Sequence, residues 1–298
     1  MSDASILNSY IEKYNDNLML LSQQESSRLR AAVMSSSQSG EGAAPVDQVA
    51  AAEAIDINTR YQVKPLIETV HDRRWEHPVS KGWGDIVDEI DKLKVNIELN
   101  GAYTKTGINA INREIDKEII SRFFASALTG RSGGTSTALP AGNTIGVQVG
   151  GSSSDVGLNT DKLLAAREVI MAGDVDIDNT TFYCGINARQ ERNLLEEIKI
   201  INGDYGVTQF DGTGTKLRSW FGINFIHTEL YETDSNSDLQ VPFWVPEGMH
   251  LGIWQDVKGD ISERKDLNLN PMHISVNATF GATRVEEAKV VRILCDES

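Results

Sequence analysis

Cysteine is scarce in this sequence, since only Cys184 and Cys295 occur among 298 residues. They stand far apart, and no Cys-x-x-Cys pair or Cys/His cluster accompanies them, which excludes a disulfide framework and argues against a zinc site. We expect two buried thiols that pack as small apolar side chains. Long apolar runs are also missing: no stretch of about 18 apolar residues exists, so no membrane-spanning helix is predicted.

Motifs for catalysis or cofactor binding are absent as well. The five histidines are scattered, without a His-x-x-x-His pair, and no Gly-x-Ser-x-Gly elbow occurs. Gly212–Lys216 lacks the spacing of a phosphate loop, and Asp174–Asn179 lacks the glycine and glutamate of a calcium loop. We therefore predict no catalytic residue, no cofactor and no metal, although the many carboxylates leave a glycosidase-type acid pair open.

Basic residues are in deficit, with 28 Lys and Arg against 43 Asp and Glu and a net charge of −15. A protein that grips nucleic acid by counterion release is normally basic, so this composition argues against strong nucleic-acid binding. The N-terminus also lacks the basic and apolar regions of a signal peptide. These features predict a soluble protein made in a reducing cytoplasm.

The first 54 residues divide into a helix and a connector. Helical spacing over residues 2–30 predicts one apolar face, formed by Leu7, Tyr10, Tyr14, Leu18 and Leu21. Residues 31–54 are mostly Ala, Ser, Gly and Gln, which predicts a flexible or weakly helical connector. The helix would thus be an arm outside the main core, and its apolar face would bind its own domain or a neighbouring subunit.

Residues 55–84 predict an extended hairpin or projecting loop. Apolar residues first alternate with polar ones, and the charge-rich run His71–Pro78 follows, closed by Gly82 and Gly84. His71 and His77 flank Arg73, Arg74, Trp75 and Glu76. That cluster could hold an anion, or it could be a solvated or subunit-facing loop.

The remainder alternates helices with strands and predicts an α+β protein. Alternation over 93–99 predicts a strand, although a helix through 85–94 is a competing interpretation. An isoleucine stripe predicts a long helix over 107–129 with a Glu118–Arg122 pair. A Gly/Ser-rich stretch, 130–157, follows. We then expect helices at 159–172 and 187–198 and strands at 181–186, 220–226, 241–245, 249–254, 259–266, 272–283 and 288–295.

Three passages resemble tailed double-stranded DNA bacteriophage major capsid proteins. The run Ile111–Ile120 resembles their spine helix, with Arg113 and Asp116 three apart, a di-isoleucine pair and a glycine exit at Gly130. Leu194-Leu195, Asn202–Tyr205 and Trp220–Ile223 are similar to a second passage of the family. The closing strands are matched by Gly281–Arg284 and Val290–Ile293.

The resemblance implies a Hong Kong 97-type capsid fold with four parts. These are an N-terminal arm (1–58), an extended loop (59–84), a peripheral domain with a long spine helix (85–172 and 270–298) and an axial domain (173–269). It also implies that the arm face and the cluster Arg73–Glu76 contact neighbouring subunits. A hairpin so polar has no core of its own in which to bury Trp75.

The implied function is that of a structural protein, not an enzyme: it self-assembles as hexamers and pentamers of an icosahedral shell around phage DNA. Scaffolding, portal and decoration proteins are further implied partners, the packaged DNA would be touched only by weak non-specific contact, and assembly would occur in the host cytoplasm. Two alternatives stay open, an encapsulin-like nanocompartment shell and an acidic α+β hydrolase.

Overall fold

The structure is a computed structural model of the 298-residue chain. It describes residues 23–50, 52, 54–64, 66–87, 99–152, 154–173, 175–176, 180–197, 208–210, 217–268 and 270–297. The predicted arm contacts Leu7, Tyr10, Tyr14 and Leu18, and most of the strand predicted at 93–99, lie outside these ranges.

Within them, three α-helices accompany fifteen strands. The helices are α1 (Leu99–Phe124), α2 (Thr160–Ala172) and α3 (Ala188–Glu196). The strands of the first half are β1 (Met34–Ser37), β2 (Ala43–Val49), β3 (His71–Glu76), β4 (Val79–Val87), β5 (Ala127–Thr129), β6 (Thr135–Thr137) and β7 (Thr144–Ile145). Those of the second half are β8 (Phe182–Ile186), β9 (Thr208–Phe210), β10 (Leu217–Trp220), β11 (Ile223–His227), β12 (Leu239–Trp244), β13 (Met249–Glu263), β14 (Met272–Arg284) and β15 (Val290–Cys295).

The strands form three sheets of different sizes. A long four-stranded sheet has the order β1-β13-β14-β4, and a seven-stranded sheet has the order β7-β15-β12-β8-β11-β10-β9. A small third sheet has the order β2-β3-β5-β6. Pairing is parallel for β1 with β13, β8 with β11 and β7 with β15, and antiparallel elsewhere. The α+β prediction is confirmed.

Helix α1 packs along the long sheet, mainly on β14 and β4. The isoleucine stripe that predicted it is buried, and it ends with Phe123 against Trp244, whose ring centroid is 4.8 Å away. Near its start the helix approaches the sheet closely, because a Cβ on Gly107 would lie 2.5 Å from the ring of Trp83. The predicted Glu118–Arg122 pair is present at 2.8 Å.

The two predicted helices of the second half and the predicted burial of both cysteines are confirmed. Helix α2 begins after Asn159, whose side chain accepts a hydrogen bond from the Lys162 amide, and it ends at Gly173. Helix α3 begins after Asn187 in the same way. Both asparagines satisfy amides that the first helical turn leaves free. Cys184 and Cys295 are free and buried, as predicted.

The N-terminal residues correct the sequence prediction. Residues 23–29 are not helical, and among the residues described before β1 the only helical turn is the 3₁₀ turn Arg30–Ala32. The supposed flexible connector (31–54) contains β1 and β2, which pair with β13 and β3, and its first residues, Ala32 and Val33, are buried in the main core. The small residues of this stretch give no strand pattern in the sequence, and the strands that pair with β1 and β2 come from other parts of the chain.

Two further boundaries differ from the predictions. The long helix ends at Phe124, since residues 127–129 turn back as β5, and Gly130 takes a positive φ of 84°. The strand predicted at 220–226 is a hairpin, β10 and β11, joined by Phe221 and Gly222 with positive φ angles of 49° and 79°. Positive φ at both central residues suits the twist of a two-residue hairpin turn.

Two strand pairings join parts of the chain that the sequence analysis assigned to different domains. Strand β13, assigned to the axial domain (173–269), pairs with β14 in the long sheet. Strand β15, assigned to the peripheral domain (85–172 and 270–298), pairs with β12 in the seven-stranded sheet. After β12 the chain therefore leaves the seven-stranded sheet for β13 and β14 of the long sheet and returns to it with β15. The order of the strands along the sequence does not reveal these crossings.

The carboxylate of Asp116 anchors the N-terminal segment to α1. It is fully buried and accepts hydrogen bonds from Gln24 Nε2 (2.5 Å), Ser27 Oγ (2.6 Å) and the amides of Arg28 (3.0 Å) and Leu29 (3.2 Å). Three residues earlier, Arg113 Nη1 donates to Gln23 Oε1 at 2.9 Å. The Arg and Asp of the spine-helix pattern therefore hold the same segment.

We predict that Asp116→Ala lowers the free energy of unfolding by about 3 kcal/mol, because several buried donors lose their acceptor. Asp256 is the matched control: it binds Arg30 of the same segment at 2.9 Å, but its side chain is 61% exposed. Asp256→Ala should cost about 0–1 kcal/mol. Urea denaturation of both variants measures the difference, and equal losses would contradict the anchoring role.

Candidate intersubunit surface

The small sheet carries a projecting segment. Strands β2 and β3 pair antiparallel, with Val49 opposite His71, and the ladder is extended by a hydrogen bond from the Ala50 amide to the Val70 carbonyl. The chain between them, described except at 51, 53 and 65, contains no further strand. We call residues 50–70 the loop tip and the β2–β3 ladder its root.

The loop tip exposes an unusual number of large apolar side chains. Leu66 is 97% exposed, Tyr61 92% and Val63 86%. Five more half- to largely exposed residues lie in or beside it: Val49, Ile55, Ile57, Ile67 and Val70. Large apolar side chains left exposed in one segment are typical of a site of association. Strand β3 and most of β4 fall within the extended loop predicted at 59–84, whose bounds stay a prediction.

The root is held by charged residues on the buried face of β3. Alternation along the strand places Arg74 and Glu76 on that face, where they are 5% and 1% exposed. Glu76 Oε1 lies 2.5 Å from His250 Nδ1 on β13. Burial raises the pKa of the Glu76 carboxyl, and the hydrogen bond from His250 partly offsets that shift.

Arg74 reaches a second arginine through one carboxylate. Its Nη2 lies 2.9 Å from Glu287 Oε2, and its Nε donates to Gln48 on β2 at 3.1 Å. The other oxygen of Glu287 faces Arg284 Nε at 3.5 Å. Arg284, which is 1% exposed, also donates to the carbonyls of Phe123, Ala125 and Thr137. Burial lowers the pKa of the Arg284 guanidinium.

The opposite face of β3 carries Arg73 and Trp75. Arg73 pairs with Asp47 at 2.5 Å, and this hydrogen bond lowers the pKa of the Asp47 carboxyl. Trp75 is half-buried: its indole N–H donates to the Gly130 carbonyl at 2.8 Å, and its ring lies against Gly133. The Gly/Ser-rich stretch after α1 therefore packs beside the root.

These positions correct part of the predicted contact set. Arg74 and Glu76 are buried inside the subunit and bind its own residues, so they are not surface contacts. Arg73 and Trp75 keep exposed area, and their contact with a neighbour stays a prediction. The strand spacing of the run was a usable signal, but the charged partners, Glu287 for Arg74 and His250 for Glu76, lie more than 170 positions away.

Other site types are not formed by the described residues. Their His, Cys, Asp and Glu side chains do not cluster as metal ligands. None of the described helices combines the length and apolarity that crossing a membrane requires.

The architecture defines the class of protein. A long helix on a long sheet, a second mixed domain and a projecting loop make up the Hong Kong 97-type capsid fold. Solved structures with this fold include the capsid of Cyanophage P-SCSP1u, with a TM-score of 0.73, 12% identity and coverage of 98% of this chain and 95% of that chain. The Cyanophage Pam1 capsid gives a TM-score of 0.71, 11% identity and coverage of 99% and 97%. The Ralstonia phage GP4 capsid gives a TM-score of 0.71 and 9% identity, with coverage of 97% of each chain.

The family follows from the sequence comparison. Residues 6–297 match the family model described as phage capsid protein, so the chain belongs to that family. No curated protein matches the sequence. The protein is a major capsid protein of a phage, a structural subunit that assembles into the shell of the virion.

We predict that Arg74→Ala lowers the free energy of unfolding by about 3 kcal/mol, because it leaves the Glu287 carboxylate buried with a weaker partner. Arg73 is the matched control on the other face of the same strand. Its pair with Asp47 is 41% and 64% exposed, so Arg73→Ala should cost about 0–1 kcal/mol. Chemical denaturation of the unassembled subunit compares them; a larger loss for Arg73→Ala would overturn this assignment.

Proposed function

We propose that the subunit forms the hexamers and pentamers of an icosahedral shell around double-stranded DNA, and that the loop tip lies on the adjacent subunit. The apolar surface of the loop tip is the observation that carries this proposal. Exposed in solution, it contributes nothing to the subunit's own core. Burying an exposed apolar side chain of this size stabilises association by about 2 kcal/mol.

The division into domains forms part of this proposal. The long sheet with α1 serves as the peripheral domain, and the seven-stranded sheet with α2 and α3 serves as the axial domain. The buried network of Arg74, Glu287 and Arg284 supports placing the loop root with the peripheral domain, because it fixes the root to the C-terminal end of α1. Movement of the long helix would then reposition the loop.

The net charge of −15 supports weak, non-specific contact between the shell and its DNA. An acidic inner wall repels the phosphates and lets the packaged genome slide, whereas a basic wall would bind it in a salt-dependent way. We further propose assembly in the host cytoplasm with scaffolding, portal and decoration proteins as partners.

We expect the triple variant Tyr61→Ser, Val63→Ser, Leu66→Ser to abolish shell formation while the melting temperature of the unassembled subunit stays within about 2 °C. The reason is that these side chains are exposed in the subunit and would be buried only between subunits. Negative-stain microscopy and sedimentation measure shell yield.

The control carries Thr59→Ser and Glu68→Gln, polar changes in the same loop tip. It should assemble as the unmodified protein does. Normal shells from the triple variant would contradict the role of the loop tip, and a large fall in its melting temperature would place those residues in the subunit core instead.

Truncation of the N-terminus separates two roles of that region. Deleting residues 2–22 should leave subunit stability unchanged and reduce assembly, as expected for an arm that binds a neighbour. Deleting residues 2–30 should also destabilise the subunit by about 3 kcal/mol or more, because it removes the fully buried Leu29 and the donors to Asp116. Thermal melting and shell yield for both truncations decide this; equal melting temperatures would be inconsistent with the anchoring of residues 23–30.

A further inference from the structure

Three side chains distant in sequence meet on one face of the long sheet. Ser36 lies on β1, His250 on β13 and Glu76 on β3. Ser36 Oγ is 2.9 Å from His250 Nε2, and His250 Nδ1 is 2.5 Å from Glu76 Oε1. A hydroxyl, an imidazole and a carboxylate thus form one hydrogen-bonded chain, the arrangement that activates serine nucleophiles on unrelated folds.

The surrounding hydrogen bonds indicate the direction of the protons. Gln38 Nε2 donates to Ser36 Oγ at 2.7 Å, so the Ser36 hydroxyl accepts this bond and keeps its own proton for His250 Nε2. His250 then carries its proton on Nδ1 and donates it to Glu76. In this tautomer the imidazole can take a proton from Ser36, and the carboxylate holds the ring in place.

Burial separates the reactive atom from the groups behind it. Ser36 is exposed on an edge strand, whereas His250 is 5% and Glu76 1% exposed. Gly252, directly opposite Ser36 in the ladder, makes room for the carboxylate, since a Cβ there would lie 2.0 Å from Glu76 Oε2. The absence of a side chain at Gly252 is therefore a condition for this arrangement.

The edge of β1 also supplies donors for a developing oxyanion. The Gln38 amide donates to the Ile253 carbonyl of β13, so by alternation the amide of Ser37 points away from β13. That edge carries no partner strand among the described residues. The backbone N–H of the residue after a nucleophile is a common oxyanion donor in serine hydrolases.

We propose that Ser36 is a nucleophile for acyl transfer from activated esters, with His250 as its general base and Glu76 as a positioning residue. Ser36 Oγ forms a bond to the ester carbonyl carbon, and its proton moves to His250 Nε2. The bond to the leaving oxygen breaks, and that oxygen takes the proton from His250. Water releases the acyl group by the same route. The shell function does not depend on this reaction.

A fluorophosphonate probe tests the proposal on the purified full-length subunit. Its phosphorus bonds to Ser36 Oγ, fluoride leaves, and the hydroxyl proton passes through His250 to solvent. Peptide mass spectrometry should find the label on Ser36, and Ser36→Ala should lose it. Ser35→Ala, a change at the neighbouring exposed serine on the opposite face of β1, should label as the unmodified protein does.

Two variants distinguish activation from simple exposure. His250→Gln should slow labelling at least about 100-fold, the range of general-base catalysis. Labelling should also be slower in acid than at neutral pH, and Glu76→Gln should alter that pH dependence. A purely structural hydrogen bond would leave the pH dependence of Ser36 labelling unchanged.

The unmodified protein alone can overturn the proposal. If Ser36 takes up no more probe than Ser35, or if its labelling rate does not depend on pH, the chain of hydrogen bonds only ties β1, β3 and β13 together. The same holds if a folded His250→Gln variant, checked by thermal melting, labels at the normal rate. Shell yield is measured on the same variants, so that a failure of the Ser36 proposal can be distinguished from a failure of the proposed shell assembly.

Discussion

The guanidinium of Arg284 is the contact that joins the long sheet to the small sheet and to the C-terminal end of α1. It sits at the end of β14, binds the carbonyls that α1 leaves free at its C-terminus, and reaches the Thr137 carbonyl on β6. Through Glu287 it is joined to Arg74 on β3. Because an arginine donates five hydrogen bonds in one plane, a single side chain can fix the helix end, the long sheet and the loop root at once.

The loop root and the loop tip follow opposite physical rules. The root is built from buried charges that are costly to separate once paired. The tip has exposed apolar side chains that gain free energy only when a second surface covers them. This division suits a shell subunit, because the root must keep its geometry in the free subunit while the tip is covered only on assembly. Trp75, on β3 of the root, is half-buried: its indole N–H donates to the Gly130 carbonyl and its ring lies against Gly133.

The hydrogen-bond chain through His250 could serve the structure of the loop root or the reactivity of Ser36. Glu76 holds the loop root and also orients the imidazole that faces Ser36. A buried acid–imidazole pair of this kind can serve structure, reactivity or both. The reactivity of Ser36 separates these possibilities, because a structural pair needs no nucleophile.

Local patterns in the sequence determined the helices and most strands of the second half. Isoleucines at helical spacing gave α1, and Asn159 and Asn187 marked the starts of α2 and α3, since caps and periodicity act within a few residues. The resemblance carried by Arg113, Asp116 and the closing strands was enough to indicate the family. Only the tertiary structure decided which strands pair, where the loop tip begins, and that Arg74 and Glu76 face inward. Each of those outcomes depends on partners such as His250 and Glu287 that the chain brings together from far along its length, and no local signal records such a distant contact.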